Sequence, residues 1–259
     1  MLMLLPPSET KRDGGDLTPL DLETLRFPEL LLTRRHVVAR VRSLAEDEAA
    51  TVRALKLGPR QLAEVGRNRR IGSSLTTAAL DRYTGVLYDA LDFGSLTEQQ
   101  RAFAHRHVVV HSALLGPVAA LDRIPAYRLS FDSRVPGLAL KKLWAPEVSA
   151  VLSAQQGLVL DLRSEGYVGL GPAPRRSDSV FLRVVTRDSS GTRRALNHFN
   201  KKAKGAFARA VLEAGLVHPD VSSLCEWANG RGFELEPRAG QLELVVAPSV
   251  ARDVAQAQK

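Results

Sequence analysis

Short apolar runs are the feature that most limits what this 259-residue chain can fold into. The runs are the length of a strand, as in Met1–Leu5, Val108–Val110 and Gly157–Leu162. None approaches the roughly 20 apolar residues that a membrane-spanning helix needs. Pro6 and Pro7 end the first run, because proline cannot donate to a strand ladder. We therefore expect no membrane segment, and buried strands separated by helices and loops.

Periodic apolar spacing and turn residues mark the other elements. Thr97 and Gln100 form a capping box at the start of one helix, and Ser189–Gly191 separates two strand patterns as a hairpin turn. We expect helices over residues 29–44, 46–57, 59–66, 97–106, 201–214 and 220–227, further strands over 180–186, 195–199, 233–236 and 242–247, and an arginine-rich loop over 66–71. Strands and helices mix without strict alternation, which is typical of the α+β class, here a mixed sheet surrounded by helices.

The composition indicates one globular domain. Hydrophobic residues make up 44% of the chain and charged residues 25%, which is ordinary globular usage. No repeat or long linker divides the sequence, so we expect a single domain over residues 1–248 and a flexible tail over 249–259. The single cysteine, Cys225, excludes a disulfide framework. The apolar start is too short for a secretory signal, so we expect a cytoplasmic protein.

Positive charge is concentrated in one segment. Residues 175–209 contain ten Lys or Arg and two Asp, so they carry a net charge of +8, which equals that of the whole chain. Such a segment is typical of proteins that bind a phosphate-bearing partner. The alternative is a basic surface that is merely solvated.

Within that segment, Lys201, Lys202 and Lys204 fall in the first turn of a predicted helix that Asn200 caps. Their charges oppose the helix dipole unless an anion lies between them, and free N–H groups at a helix start bind anions. We therefore predict a phosphate site here, with Lys201 and Lys204 on one face of the helix. A solvated junction, where salt screens the conflict, is the alternative.

Two further sets of polar residues follow predicted strands. Ser164, Glu165 and Tyr167 are candidates for a nucleophile, a general acid or base, and a hydrogen-bond donor, although no G-x-S-x-G elbow is present and the segment can equally be an ordinary turn. Ser8, Glu9 and Lys11 follow the first strand and can either hold a phosphate or form a surface ion pair.

The histidines do not predict a metal site. His105 lies in a helix pattern, whereas His107 and His111 lie in a strand pattern, so the three need not converge. No Walker loop, G-x-G-x-x-G or H-E-x-x-H motif occurs. We predict neither a metal nor a cofactor.

Five short blocks occur in order along nearly the whole chain. They are residues 4–11 (LLPPSETK), 83–88 (YTGVLY), 111–116 with 121–129 (HSALLG and LDRIPAYRL), 161–167 (DLRSEGY) and 199–205 (FNKKAKG). Each block alone is weak, but the ordered set is specific. With these blocks the chain resembles the YaaA peroxide-stress protein family.

The resemblance implies a cytoplasmic bacterial protein that protects DNA and protein from peroxide, partly by limiting free iron. It also implies one α+β body with a basic cleft and a helix-hairpin-helix-like element, which would match residues 112–116. Members look like DNA binders that prefer looped or distorted duplexes. Ala113 departs from the glycine that relatives often have there, and glycine would let the backbone approach phosphates closely.

The first function that follows is DNA binding without sequence specificity, by a monomer. Stacking on a distorted strand would come from Tyr127 and Arg128, and phosphate contacts would come from polar and basic residues. The phosphate-contact candidates are Arg128, Arg175, Arg176, Arg193, Asn197, Lys201, Lys202 and Lys204.

The second function is an enzyme that acts on a nucleotide or nucleobase-like substrate. The three lysines would hold the phosphate, and Ser164, Glu165 and Tyr167 would be the catalytic candidates. Tyr88 and Tyr127 join Ser8, Glu9 and Lys11 as a further candidate site. Direct iron binding by scattered histidines and carboxylates ranks last.

Overall fold

The computed structural model of the chain describes residues 1–187, 192–195, 199–238 and 240–246. Three features of the sequence lie outside these residues: Asn197, the Ser189–Gly191 turn, and the tail over 249–259.

The strands form one large mixed sheet and one small sheet. The strands are β1 (Leu2–Leu5), β2 (Leu17–Pro19), β3 (Leu75–Ala78), β4 (Val108–Ser112), β5 (Gly116–Ala119), β6 (Arg123–Ile124), β7 (Val159–Asp161), β8 (Ser179–Arg187), β9 (Arg193–Ala195), β10 (Glu234–Arg238) and β11 (Gln241–Val246). The large sheet has the order β10-β11-β8-β7-β1-β4-β5, with β9 paired to β8, and the small sheet has the order β2-β3-β6.

The centre of the large sheet is parallel. β1 pairs with β4 on one side and with β7 on the other, β7 pairs with β8, and β8 with β11, all in parallel. Antiparallel pairs of β4 with β5 and of β10 with β11 form the two edges. The chain therefore leaves the carboxyl ends of β1, β4 and β7 at the same edge of the sheet, where ligands of open α/β sheets usually bind.

Helices surround the sheet. They are α1 (Leu31–Leu44), α2 (Glu48–Leu55), α3 (Ala63–Arg69), α4 (Ala79–Arg82), α5 (Val86–Leu91), α6 (Glu98–His107), α7 (Leu140–Ser153), α8 (Glu165–Val168), α9 (Phe199–Ala214) and α10 (Val221–Asn229). Single 3₁₀ turns cover Leu22–Thr24, Pro28–Leu30, Pro59–Gln61 and Phe93–Ser95. α6 packs against β1, β4 and β5, while α9 packs against α5 and β8.

The predicted α+β class is confirmed. Most helices and strands that a strong local sequence signal predicts are present. The capping box is present, since Thr97 Oγ1 accepts from the Gln100 N–H and the Gln100 side chain accepts from the Thr97 N–H. One hydrophobic cluster contains residues from β1, β4, β7, β8 and most helices, so the described residues form one domain. Among them, no helix is both long enough and apolar enough to cross a membrane.

Three local predictions are wrong. Asn200 does not cap a helix that starts at residue 201, because α9 begins at Phe199; Asn200 therefore lies within the helix and Lys204 lies beyond its first turn. Residues 66–71 are not a loop: α3 covers Gly66–Arg69, because Val65 and Asn68 are buried and Arg67 pairs with both Asp13 and Glu64. The segment from Ser112 to Gly116 joins β4 to β5, which are antiparallel strands. A helix-hairpin-helix is therefore not formed at that position.

Candidate functional site

The main pocket lies at the carboxyl edge of β1 and β7. It has a volume of about 520 Å³, within the usual range of small-molecule sites. Four of the five sequence blocks line it, through the turn after β1, the start of α5, the start of α8 and the start of α9. The lining residues are Pro6, Pro7, Ser8, Glu9, Thr10, Thr84, Gly85, Val86, Leu87, Tyr88, Leu162, Ser164, Tyr167, Asn200, Lys201 and Lys204.

The turn after β1 forms one rim of the pocket. The Thr10 N–H donates to Ser8 Oγ over 3.3 Å, and the two hydroxyls lie 3.1 Å apart. Thr10 Oγ1 in turn donates to the Thr84 carbonyl. The bond from Thr10 to Thr84 connects the block at residues 4–11 to the block at residues 83–88. The spacing of the blocks in the sequence does not predict this connection.

Lys11 lies beneath this rim rather than in the pocket lining. Its side chain is buried, and Nζ donates to the carbonyls of Ser8 and Glu9 over 2.9 and 3.2 Å. Burial lowers the Lys11 pKa to about 7. Lys11 therefore holds the backbone of the rim and does not itself contact a ligand in the pocket.

Of the four tyrosines of the chain, Tyr88 and Tyr167 line the pocket. Tyr83 stacks on Tyr88, and Tyr127 bonds to Tyr83, so these two lie behind the lining. Tyr127 Oη lies 2.8 Å from Tyr83 Oη and 2.7 Å from Ser112 Oγ, and Tyr88 Oη donates to the Pro6 carbonyl. Desolvation raises the pKa of Tyr88 and of Tyr127 well above the ordinary value, so both stay protonated. Tyr127 is 1% exposed, which removes its ring from the stacking role that the sequence predicts.

Arg128 is also engaged within the fold. Its guanidinium donates to Glu9 Oε2 over 2.6 Å. Its backbone exchanges two 2.7 Å hydrogen bonds with the Asn68 side chain. The alternative expected for the first block, a surface pair between Glu9 and Lys11, is therefore not formed, because Glu9 pairs with Arg128 and Lys11 bonds to backbone carbonyls.

The start of α9 closes the pocket on the opposite side. Lys204 is buried and its Nζ donates to the carbonyls of Leu162 and Arg163 over 3.0 and 3.4 Å. Desolvation lowers the Lys204 pKa to about 8. Lys201 is exposed, and both lysines line the pocket, as their spacing on one helix face predicts.

Asn200 supplies an unused acceptor to the same pocket. Its Oδ1 is buried without a hydrogen-bond partner among the residues that the structure describes. Burying an unpaired amide oxygen costs about 1–3 kcal/mol, so a ligand N–H or O–H that reached it would recover part of that free energy.

The three catalytic candidates after β7 do not meet in one place. Ser164 and Tyr167 line the main pocket. The Glu165 side chain is 86% exposed and lies 3.8 Å from Arg183 in a second groove. A nucleophile at Ser164 with Glu165 as its base is therefore not assembled in this structure.

The second groove, of about 650 Å³, runs past Arg175, Arg176 and Arg183. Arg176 pairs with Asp178 over 2.6 Å and donates to the carbonyls of Gln155 and Gly157. This groove is separate from the main pocket, and the two open on either side of α8.

Much of the basic segment forms ion pairs. Arg193 pairs with Glu236 and Glu243, and Arg187 pairs with Glu234 and Glu236. These acids belong to β10 and β11, outside the segment. The structure does not bring Arg193 to the main pocket, and Lys202 is exposed beside the pocket without being part of its lining.

The three histidines lie in separate environments. His107 Nδ1 donates to the Met1 carbonyl, His105 Nδ1 accepts from the Leu121 N–H, and His111 Nδ1 accepts from Arg163. No group of three or more His, Cys, Asp or Glu side chains in the described part of the chain has the arrangement of a metal site.

Several residues of the pocket were not predicted from the sequence. Thr10, Thr84 and Val86 line it but carry no strong chemical signal, and Leu162 is an ordinary strand-end apolar residue. The signal that was available is the block pattern itself, because four blocks far apart in sequence converge on one cavity.

Comparison with known proteins places these blocks in a family. The family model described as peroxide stress protein YaaA matches residues 1–239. A UPF0246 protein of Corynebacterium efficiens is 37% identical over 250 residues, which cover 94% of this chain and 98% of the relative. A Corynebacterium glutamicum UPF0246 protein is 39% identical with the same coverage, and one from Streptomyces coelicolor is 37% identical over 92% of this chain and 93% of the relative.

Proposed function

The chain belongs to the peroxide stress protein YaaA family, and on that premise we propose that it acts in the cytoplasm, as a monomer, by binding DNA phosphates at the main pocket. The observation that carries the proposal is the convergence of Lys201, Lys204 and Asn200 with the turn after β1 in one cavity. Binding would protect the DNA that it covers from oxidative, iron-dependent damage.

The two pocket lysines have different roles, and this difference supports a phosphate ligand. Lys204 donates to two backbone carbonyls and has little exposed surface, so it fixes the end of β7 against α9. Lys201 is exposed on the same face, and none of the ion pairs formed among the described residues involves it. An exposed lysine at the start of a helix, beside a cavity, favours an anion there.

The lining of the pocket is consistent with a nucleotide unit rather than with phosphate alone. Pro6, Pro7, Val86, Leu87 and Leu162 give it an apolar wall, which suits a sugar or base. Ser8, Ser164 and Asn200 contribute hydrogen-bonding groups near that wall. Hydrogen bonds from such polar groups to the phosphate and sugar of a nucleic acid carry no sequence information.

The test compares Lys201→Ala with the charge-matched control Lys142→Ala on α7, an exposed lysine outside the pocket. Binding is measured by fluorescence anisotropy with a labelled duplex, a duplex with an unpaired loop, and a single strand. We expect dissociation constants of about 1–100 µM for the unmodified protein. Lys201→Ala should weaken binding about fivefold or more and lower the salt dependence by about one phosphate contact.

Two results would contradict the proposal. One is the absence of binding to all three DNA forms. The other is an equal, small effect of Lys201→Ala and Lys142→Ala, which would mean that attraction is diffuse and that the pocket takes no part.

A second candidate function follows from the size of the same cavity. A single nucleotide, bound or chemically altered there, would fit a volume of about 520 Å³. Salt separates the two ligands, because binding of a polyanionic DNA weakens steeply with salt whereas binding of one nucleotide weakens much less. Titration of the protein with mononucleotides at low and high salt decides between them.

A further inference from the structure

Phe131 is an exposed aromatic side chain next to the main pocket. The residue is 41% exposed. It packs edge-on against Tyr167, a residue of the pocket lining, with ring centroids 5.3 Å apart. Arg128, three residues earlier, bonds to Glu9 at the pocket rim. The ring is thus joined to the pocket through Tyr167, and it lies just outside the lining.

The position of the Phe131 ring is fixed by its neighbours. A Cβ on Gly166 would lie 2.5 Å from two of the ring carbons, so the ring rests directly on the backbone of α8. Any side chain larger than glycine at position 166 would displace it. The ring is therefore exposed and, at the same time, firmly packed against α8.

The loop that carries Phe131 is held on both sides of the ring. Ser130 Oγ donates to Asp132 Oδ1 over 2.7 Å, and the Ser130 N–H donates to Ser133 Oγ. Asp132 also pairs with Lys56 over 2.7 Å. An aromatic ring held in place before a ligand arrives loses little conformational entropy on binding, which favours its use as a contact surface.

We propose that Phe131 is a stacking surface for a nucleobase whose phosphate lies at Lys201. This proposal rests on the proposed function and specifies which part of the ligand contacts which side of the pocket. Stacking on an aromatic side chain accepts every base, because each base has a π face. It would give the protein a preference for unpaired nucleotides without any reading of sequence.

The test uses two single-stranded probes of equal length, oligothymidylate and its abasic phosphodiester counterpart. Phe131→Ala removes the ring, Phe131→Leu keeps apolar contact with Gly166 and Tyr167 but has no π face, and Phe131→Trp restores stacking. Leu32→Ala on α1 is the control, since Leu32 is 77% exposed and outside the pocket. Thermal melting of each variant checks that it folds.

We expect Phe131→Ala and Phe131→Leu to weaken binding of oligothymidylate about fivefold or more, while binding of the abasic strand changes less than about twofold. Phe131→Trp should bind oligothymidylate at least as well as the unmodified protein, with quenched tryptophan fluorescence. Equal effects on both probes, or no effect on either, would overturn the proposal, and so would abasic binding as tight as that of oligothymidylate.

The two proposals fail in different ways. If the unmodified protein binds the abasic strand through Lys201 and the bases add nothing, the phosphate site stands and Phe131 is not a stacking surface. If Phe131 instead contacts a partner protein, its variants leave both probes unaffected, which also overturns the stacking role. If neither probe binds, both proposals fail.

Discussion

Lys11 Nζ lies 4.2 Å from the centroid of the Tyr127 ring, between that ring and the carbonyls of the pocket rim. The ring face attracts the ammonium group, and the two carbonyls accept its hydrogen bonds. In return, the lysine fixes the backbone of Ser8 and Glu9 next to Tyr127. This arrangement makes a buried lysine part of the scaffold of the site.

Replacing Lys11 with methionine should remove a pH dependence of stability. The folded pKa is about 7 and the unfolded value about 10.5, so between these values the unfolded chain holds a proton that the folded chain has lost. The free energy of unfolding therefore rises with pH in this window, by up to about 1.4 kcal/mol per pH unit. Lys11→Met should lack that component of the rise.

The measurement is urea unfolding of both proteins at several pH values between about 7 and 9. The difference between the two curves isolates Lys11 from other titrating groups. Parallel curves for the two proteins would mean that Lys11 keeps its ordinary pKa in the folded chain.

Arg193→Gln should lower the stability of the fold and have only a small effect on DNA affinity. Arg193 donates to Glu236 and Glu243, and its hydrogen bond is the largest cause of the fall of the Glu236 pKa to about 2. The charge of Arg193 is thus already balanced within the fold. We expect a lower melting temperature and a change in affinity well below that of Lys201→Ala.

Acid titration provides an independent measurement of the same ion pairs. With Arg193 present, Glu236 stabilises the fold above its unfolded pKa, and this contribution is lost as the pH falls from about 4.5 toward 2. Arg193→Gln should reduce that loss. An affinity loss as large as that of Lys201→Ala, without any change in stability, would show that Arg193 serves the ligand.

Local sequence patterns predicted the helices and strands, but they did not predict how the strands pair to form the site. The runs at β1, β4 and β7 are strongly apolar, and Thr97 with Gln100 sets a helix start, so these signals act over a few residues. The parallel pairing of β1 with both β4 and β7 depends on contacts between residues more than 100 positions apart. No local pattern encodes such contacts.

The net charge of a segment does not show which of its charged side chains face a ligand. Lys204 and Arg128 count as surface charges in the sequence, yet one donates to strand-end carbonyls and the other pairs with Glu9. The acids that balance Arg193 lie on β10 and β11, about 40 to 50 residues further along the chain. Net charge per segment therefore overstates the basic surface that faces a ligand.

His111 should make the fold sensitive to mild acid. It is buried, its Nδ1 accepts from Arg163 over 2.6 Å, and Arg163 pairs with buried Asp161. Tyr167 and the Gly171 segment face the same ring. Desolvation and the Arg163 charge hold the His111 pKa well below 6.5. Below that pH the unfolded chain gains a proton that the folded chain does not, so stability falls as pH decreases.

Thermal melting of the protein and of His111→Gln between about pH 7 and pH 5 checks this expectation. We expect the variant to melt lower at neutral pH because it disturbs the hydrogen bond to Arg163, so the quantity compared is the slope of melting temperature against pH. A shallower slope in His111→Gln supports the assignment. Identical slopes would place the acid sensitivity elsewhere.

Gly205→Ala should destabilise the protein by separating α9 from α5 at the wall of the pocket. A Cβ on Gly205 would lie 2.2 Å from the Leu87 carbonyl oxygen and 2.9 Å from Ala90 Cβ, and backbone cannot give way as a flexible side chain does. We expect a loss of about 1–3 kcal/mol in the free energy of unfolding, although alanine is the better helix former. Gly94→Ala is the matched control, because no atom lies within 4 Å of its added Cβ.

Since Leu87 and Lys204 both line the pocket, Gly205→Ala should also weaken DNA binding in the fraction that stays folded. Unchanged stability in urea unfolding would mean that α9 and α5 are further apart than this contact requires.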